Sequence, residues 1–369
     1  MAKSVLITGG GGFIGCHLAR ALLARGDRVR VLDSMLEQVH GDRSRPANLP
    51  RDAEFQRGDV CDADAVTRAL DGVDHVVHLA AEVGVGQSMY AVERYVAAND
   101  LGTAVLLQTL IAKPVKRVVV ASSMSIYGEG LYADADGRTH EDVVRISGSE
   151  GNWDPRDASG RALRPLPTPE SKRPTLASVY ALTKYVQERL TLTLAPTYGM
   201  EAVALRLFNV YGPGQALSNP YTGVLAIFAS RLLNRKPPLV FEDGQQRRDF
   251  VHVEDVARAF VLALDHPKAN GDVFNIGSGH ERTVVEVAQL LARAMNLSEI
   301  EPELAGKARA GDIRHCFGDL SHAREVLGFT PQRDFAEGLR ELAGWVAEQT
   351  AVDRVAEARR ELEMRGLVA

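Results

Sequence analysis

The chain has 369 residues, 45% apolar and 25% charged, the composition of a folded globular protein with room for two lobes. Its 43 lysines and arginines against 48 aspartates and glutamates leave a net charge of −5. That balance excludes a nucleic-acid surface and leaves any anionic ligand to locally placed arginines.

The opening residues hold one lysine and a short apolar run, which reads as a strand rather than a leader. The most apolar later run, residues 224–229, is far too short to cross a bilayer, so no membrane is expected. Cys16, Cys61 and Cys316 are scattered without metal-ligand spacing. They read as reduced thiols of a cytoplasmic protein with no bound metal.

In chain order, Ser4-Val5-Leu6-Ile7-Thr8 is an apolar run of the buried parallel-strand kind. It runs straight into Gly9-Gly10-Gly11-Gly12-Phe13-Ile14-Gly15, a helical stretch over residues 17–25 closed by Gly26, and a second strand ending in Asp33. Strand, glycine turn, helix, strand and terminal acid make a βαβ unit for a dinucleotide. Gly9 allows the tight turn, Gly12 lets the backbone approach a pyrophosphate, and Gly15 allows close helix packing. The pyrophosphate then lies at a helix N-terminus, where free N–H groups attract it. Asp33 would accept from ribose hydroxyls and repel a 2′-phosphate, and Ser34 and Met35, not arginine, follow it. The cofactor expected is NAD rather than NADP.

A third strand ends at Gly58-Asp59-Val60, with Asp59 placed for an adenine amino group. A fourth, His75-Val76-Val77-His78, stops at Leu79-Ala80-Ala81, small residues suited to passing beneath a cofactor; His78 reads as a packed strand residue. Residues 99–111 have helical spacing of Leu101, Val105, Leu106 and Leu110. A fifth strand from Arg117 runs into Ser122-Ser123-Met124-Ser125-Ile126-Tyr127-Gly128. Ligands of open α/β sheets bind beyond the carboxyl ends of the strands, which is where Ser123 falls.

After a long segment rich in Gly, Pro, Asp and Arg, read as a partly ordered flap near the substrate held by Trp153 and the prolines 165–169, comes Tyr180-Ala181-Leu182-Thr183-Lys184. Helical spacing puts Tyr180 and Lys184 on one face, one turn apart. A phenol of ordinary pKa near 10 is a poor base at neutral pH, and a nearby cation is expected to lower it. Ser123 would bond a substrate hydroxyl, Tyr180 would take its proton, and a nicotinamide would take its hydrogen. A sixth strand, residues 202–208, leads to Asn209-Val210-Tyr211-Gly212-Pro213. A helix over 224–233 follows, then Arg248-Asp249-Phe250, a strand at 274–277, a helix over 286–295, and Arg309-Ala310-Gly311-Asp312.

These motifs stand in the order found in the extended short-chain dehydrogenase/reductases that act on nucleotide-diphosphate sugars, and the chain resembles that family over about residues 4–345. The resemblance implies a doubly wound parallel Rossmann sheet with a smaller C-terminal α/β substrate lobe. The NAD-binding domain would be residues 1–210 plus 246–277, carrying an insert at 129–178. The substrate lobe would be 211–245 plus 278–345, and 346–369 a helical tail. It implies a catalytic set of Ser123, Tyr180 and Lys184. Cofactor contacts would come from Gly9, Gly12, Phe13, Ile14, Gly15, Asp33, Asp59, Val60, Leu79, Ala80, Ala81, Asn99, Tyr180 and Lys184. Substrate contacts would come from Ser123, Ser125, Asn209, Arg248 and Arg309, whose guanidinium forks suit a diphosphate. It implies a homodimer joined through the helices at 91–111 and 180–194.

Relatives that eliminate or decarboxylate carry an acid just after the serine or threonine; Met124 and Ser125 stand here, so 4-epimerisation through a transient 4-keto sugar is expected. The insert and tail are similar to those of dTDP-L-rhamnose 4-epimerases. UDP-hexose or UDP-uronate 4-epimerases, an oxidoreductase that releases NADH, and an NAD-holding regulatory protein without turnover remain as alternatives.

Overall fold

The computed structural model describes residues 2–41, 44–143 and 153–368. Seven strands form the central sheet, in the order Asp272–Ile276, Glu201–Leu207, Arg117–Ser123, His75–His78, Ser4–Thr8, Arg28–Asp33, Glu54–Arg57. Every neighbouring pair is parallel. Their near-continuous apolar runs follow from burial on both faces. On one face Leu18, Ala19 and Leu22 of the helix Phe13–Ala24 meet Val256 and Phe260 of Val253–Asp265. On the other, Val66, Leu106, Leu110 and Ala195 come from three further helices. Strand order reverses across Ser4–Thr8, which lies between Arg28–Asp33 and His75–His78, and the glycine turn sits at that switch point.

A second apolar core joins Leu225 and Phe228, Val287 and Leu291, and Leu339 and Leu342, from the helices Val224–Leu233, Val284–Ala294 and Phe335–Ala347. Short parallel strands, Asn209–Tyr211 and Arg247–His252, connect it to the central sheet.

Three elements differ from the sequence reading. The first helix begins at Phe13, not at residue 17, because Gly12 already serves as its N-cap and Gly15 lies inside it. The helix read over 99–111 is the last part of a helical run, Val92–Ala112, with π-helical turns at Val96–Leu101. By length and composition alone this run could cross a membrane. Tyr95, Thr103, Leu106 and Leu110 bury one of its faces in the molecule, while Val92, Val96 and Leu101 are exposed.

The described residues of the insert do not form a flap over the cleft. Its strand Leu131–Ala133 pairs with Thr139–His140 and Arg164–Leu166, and none of its described residues before Ala177 lines the main cleft. Buried charges hold it instead, as buried charges require partners. The fully buried Arg314 reaches Asp154 at 2.7 Å, Glu242 at 2.9 Å and Asp243 at 2.6 Å. Lys172, also buried, donates to the Tyr127 carbonyl at 2.8 Å. Trp153, read as an anchor, is half-buried, and Gly151 and Asn152 before it lie outside the described residues.

Candidate active site

A cleft of about 1420 Å³ runs from the glycine turn to the second lobe. Its walls include Gly9, Gly12, Phe13, Ile14, Gly15, Asp33, Asp59, Val60, Leu79, Ala80, Ala81, Ser123, Ser125, Tyr180, Asn209, Arg248 and Arg309. Residues scattered over 300 positions thus meet at the carboxyl ends of the strands.

The glycine turn fits a dinucleotide on direct geometry. Gly9 has φ +67°, and a Cβ there would lie 2.6 Å from the Ala80 nitrogen. A side chain at Gly15 would strike the Gly10 Cα at 2.4 Å, so Gly15 packs on the turn itself rather than on the strand. Gly12 caps the helix without a side chain, so the first N–H groups face the cleft unobstructed. Asp33 is held for its role: Oδ2 accepts from Gly11 N at 3.0 Å and Oδ1 from Met35 N at 2.8 Å.

At the reacting end, Ser178 caps the helix Val179–Thr197, accepting from Ala181 N at 3.1 Å. Tyr180 N donates to Ser88 Oγ at 3.0 Å. Ser125 Oγ donates to Ser123 Oγ at 2.9 Å, and Ser123 in turn hydrogen-bonds the Tyr180 phenol. Burial raises the phenol above its ordinary value, and only the bond with Ser123 opposes that rise. The sequence reading had Lys184 lowering it. In the structure the ammonium donates to Gln187 Oε1 at 2.6 Å and does not lower the phenol.

Lys184 does not line the cleft; it lies behind the wall, 3% exposed, and burial pulls it down to about 7 against a weaker opposing pull from Glu188. Gln187 is the residue the sequence reading missed. Its amide nitrogen donates to the Ala80 carbonyl at 3.2 Å and to Thr103 Oγ1 at 2.9 Å. A carbonyl can only accept, so the amide cannot flip and Oε1 must face Lys184. The signal was present, since residues i and i+3 share a helix face, but nothing in the sequence marks that face as buried.

His78 is the packed residue expected. Nδ1 meets Thr8 Oγ1 at 2.7 Å, Nε2 meets Thr103 Oγ1 at 2.9 Å, and burial, then the nearby Lys184, hold it down at about 3. Asn99 does not reach the cleft either. Its Oδ1 accepts from Glu82 N at 2.7 Å and its Nδ2 donates to Thr183 Oγ1 at 2.9 Å, so it braces the loop after the fourth strand against the helix Val179–Thr197.

Towards the second lobe, Arg309 grips Asp312 with two bonds of 2.8 and 3.1 Å and stacks on Phe241, 4.5 Å from the ring centre. Arg248 donates to the Arg314 and Ile313 carbonyls. Both guanidinium groups are therefore fixed in place at the cleft wall. Asn209 Nδ2 is buried with no partner among the described residues, as a group awaiting a ligand acceptor would be.

The buried ammonium has a measurable consequence. Below about 7 Lys184 is charged in both folded and unfolded states, and the full cost of burying the charge is present. Between about 7 and the ordinary lysine value near 10.4, the unfolded chain binds the extra proton, so that cost fades as pH rises. Urea unfolding should show the wild type gaining stability relative to Lys184→Met across that window. A pH-independent difference would contradict this placement of Lys184.

With this geometry in view, likenesses to known proteins take on meaning. Residues 5–145 and 160–277 match the NAD dependent epimerase/dehydratase family. A dTDP-L-rhamnose 4-epimerase of Burkholderia thailandensis is 35% identical over 359 residues, covering 94% of this chain and 96% of that protein. A putative UDP-glucose 4-epimerase of Methanocaldococcus jannaschii is 30% identical, with 93% and 98% covered. Among solved structures, the UDP-glucose 4-epimerase of Thermotoga maritima with UDP-glucose superposes with a TM-score of 0.76 at 31% identity, over 94% of this chain and 99% of that one. That of Thermus thermophilus in complex with NAD gives 0.74 at 31% identity, over 94% and 100%. The chain belongs to the NAD dependent epimerase/dehydratase family, and NAD is its cofactor.

Proposed function

We propose that the protein is a nucleotide-sugar 4-epimerase that interconverts dTDP-L-rhamnose and its C4 epimer. The observation that carries the reaction type is the hydroxyl relay Ser125–Ser123–Tyr180 in a cleft where every lining carboxylate is engaged elsewhere. Glu82 is bound by Arg94 at 2.7 and 2.8 Å, Asp312 by Arg309, and Asp33 by backbone N–H groups. Asp59 accepts from Cys61 N, while Glu254 and Glu341 pair with Arg333. Among the described residues none is partnered with Ser123 or Tyr180, which leaves the reacting end without the general acid that elimination or decarboxylation would use.

The chemistry that bound NAD supplies is reversible exchange of hydride with the sugar carbon. Ser123 orients the sugar 4-hydroxyl, and Tyr180 takes its proton as the 4-keto sugar forms and returns it afterwards. Lys184, one helical turn from the phenol, is held by Gln187 behind the cleft wall and does not lower the phenol. Gly9, Gly12, Phe13, Ile14, Gly15 and Asp33 would hold the cofactor, with Asp59, Val60, Leu79, Ala80 and Ala81 along its length. Asn209, Arg248 and Arg309 would meet the diphosphate and its sugar. The likeness to the Burkholderia epimerase supports the choice of nucleotide and sugar.

The same reading divides the chain into a cofactor domain (1–210 plus 246–277), a substrate lobe (211–245 plus 278–345) and a tail (346–369), in a cytoplasmic protein. It also pairs two copies. Val92, Val96, Leu101 and Leu182 lie 41–52% exposed on the helices Val92–Ala112 and Val179–Thr197, and a second copy would cover them. Sedimentation equilibrium should find a dimer, and a monomer at all concentrations would sink this pairing.

Purified protein incubated with dTDP-L-rhamnose, dTDP-glucose, UDP-glucose and UDP-glucuronate, with C4 configuration followed by NMR, tests the reaction and the substrate together. Conversion of dTDP-L-rhamnose without accumulation of NADH is the expected result. An inert dTDP-L-rhamnose beside a converted UDP-sugar would reject the substrate, and steady NADH release would reject epimerisation.

A further inference from the structure

The segment after the last helix of the second lobe crosses back over the cleft. It is pinned to that lobe three times: Asn234 Nδ2 donates to the Ala351 carbonyl at 3.0 Å, Val352 N to Ser218 Oγ at 3.1 Å, and Lys236 pairs with Asp353 at 2.8 Å. The helix Val355–Met364 follows. Its residues Val355, Ala358, Arg359 and Leu362 line the cleft, spaced as i, i+3, i+4 and i+7 on one face. Glu357, Arg360 and Glu363 stand outside on the exposed face, with Glu361 half-buried at its edge.

Leu362, 4% exposed, packs on the loop after the fourth strand: a Cβ built on Gly86 would be 3.4 Å from both its methyl groups. Gly86 belongs to the short helix Val85–Ser88, and Ser88 Oγ receives the Tyr180 N–H. Leu362 is therefore one element away from the start of the helix Val179–Thr197. Beyond the helix, the Leu367 carbonyl accepts from Ala310 N at 2.9 Å, and Val368 bridges antiparallel to Arg309. The Arg365 guanidinium sits over the Tyr90 ring at 4.4 Å. The segment thus touches both sides of the cleft and clamps the loop that carries Arg309.

We propose that the C-terminal helix forms the sugar-facing wall of the cleft, with Leu362 a specificity-determining contact for a nucleoside-diphosphate sugar that presents an apolar substituent such as a 6-methyl group. This rests on the nucleotide-sugar reading above. The walls nearest the start of the helix Val179–Thr197 mix carbon with backbone oxygen: a Cβ on Gly311 would lie 3.1 Å from the Ala177 carbonyl oxygen and 3.4 Å from Val85 Cγ1, while Gly86 abuts the Leu362 methyls. A methyl group is at home against the Leu362 methyls, whereas a hydroxymethyl oxygen placed there would face carbon. Small differences of this kind are worth about 10-fold or more in discrimination.

The test is calorimetric titration of full-length, NAD-loaded wild type, Leu362→Ala and Leu362→Arg with dTDP and with dTDP-L-rhamnose, repeated with UDP and UDP-glucose. Loss of at least ~10-fold in affinity for dTDP-L-rhamnose in Leu362→Arg, with dTDP binding changed less than ~2-fold, is the expected result. Leu362→Ala should weaken dTDP-L-rhamnose more than UDP-glucose. Equal losses for dTDP and dTDP-L-rhamnose, or no loss in either variant, would overturn the inference. A wild type that binds none of the four ligands would overturn the nucleotide-sugar reading and this inference with it.

Discussion

The helix that carries Tyr180 is fastened to the sheet by a buried ion pair. Arg206, on the strand Glu201–Leu207, grips Glu188 with bonds of 2.7 and 3.0 Å, and both side chains are all but inaccessible. Ser122 Oγ donates to the same carboxylate at 2.6 Å. The residue before Glu188 is Gln187, which holds Lys184, and the residue after Ser122 is Ser123, which meets Tyr180. A single carboxylate therefore sets the register between the strand that carries the serine and the helix that carries the tyrosine. Removing one partner of such a pair costs about 3–5 kcal/mol, because the other is left as a buried charge. Arg206 also donates to Tyr127 Oη at 2.9 Å, which ties the start of the insert to the same anchor.

Around that anchor the site is assembled from desolvated polar groups. Burial lifts the Tyr180 phenol and depresses the Lys184 ammonium, so both lie away from their ordinary values before any ligand arrives. In a medium of low polarity each hydrogen bond and each charge counts for more, so the placement of Ser123 and Gln187 has leverage it would lack in water. Gln187 is suited to its place because it is neutral. A carboxylate there would pair with the ammonium and cancel its charge, whereas an amide oxygen directs it and leaves the charge in place.

Much of this was legible in the sequence. The dinucleotide turn could be read because glycine has few reasons to recur at 9, 12 and 15 beyond backbone approach, and Asp33 because it closes the next strand. Ser123, Asn209, Arg248 and Arg309 were found from the family's motif order, and all four meet in the cleft. What could not be read depends on which way a side chain turns after packing. Lys184 and Asn99 have the residue types of ligand contacts, yet local acceptors capture both. The insert has the composition of a loose loop, but Arg314, some 160 positions from Asp154, ties its described part to the fold. The tail helix was visible as an element, while its position across the cleft depended on contacts with Gly86 and Ala310 that no local pattern encodes.

The central claim is that Tyr180, oriented by Ser123, moves the proton at the sugar 4-hydroxyl. Single-turnover measurement of Tyr180→Phe against wild type, with bound NAD quantified in both, addresses it most directly. The account predicts unchanged NAD content and a rate at least ~100-fold lower, as for loss of a positioned general base. A Tyr180→Phe protein with its cofactor bound and turnover near that of wild type would contradict it.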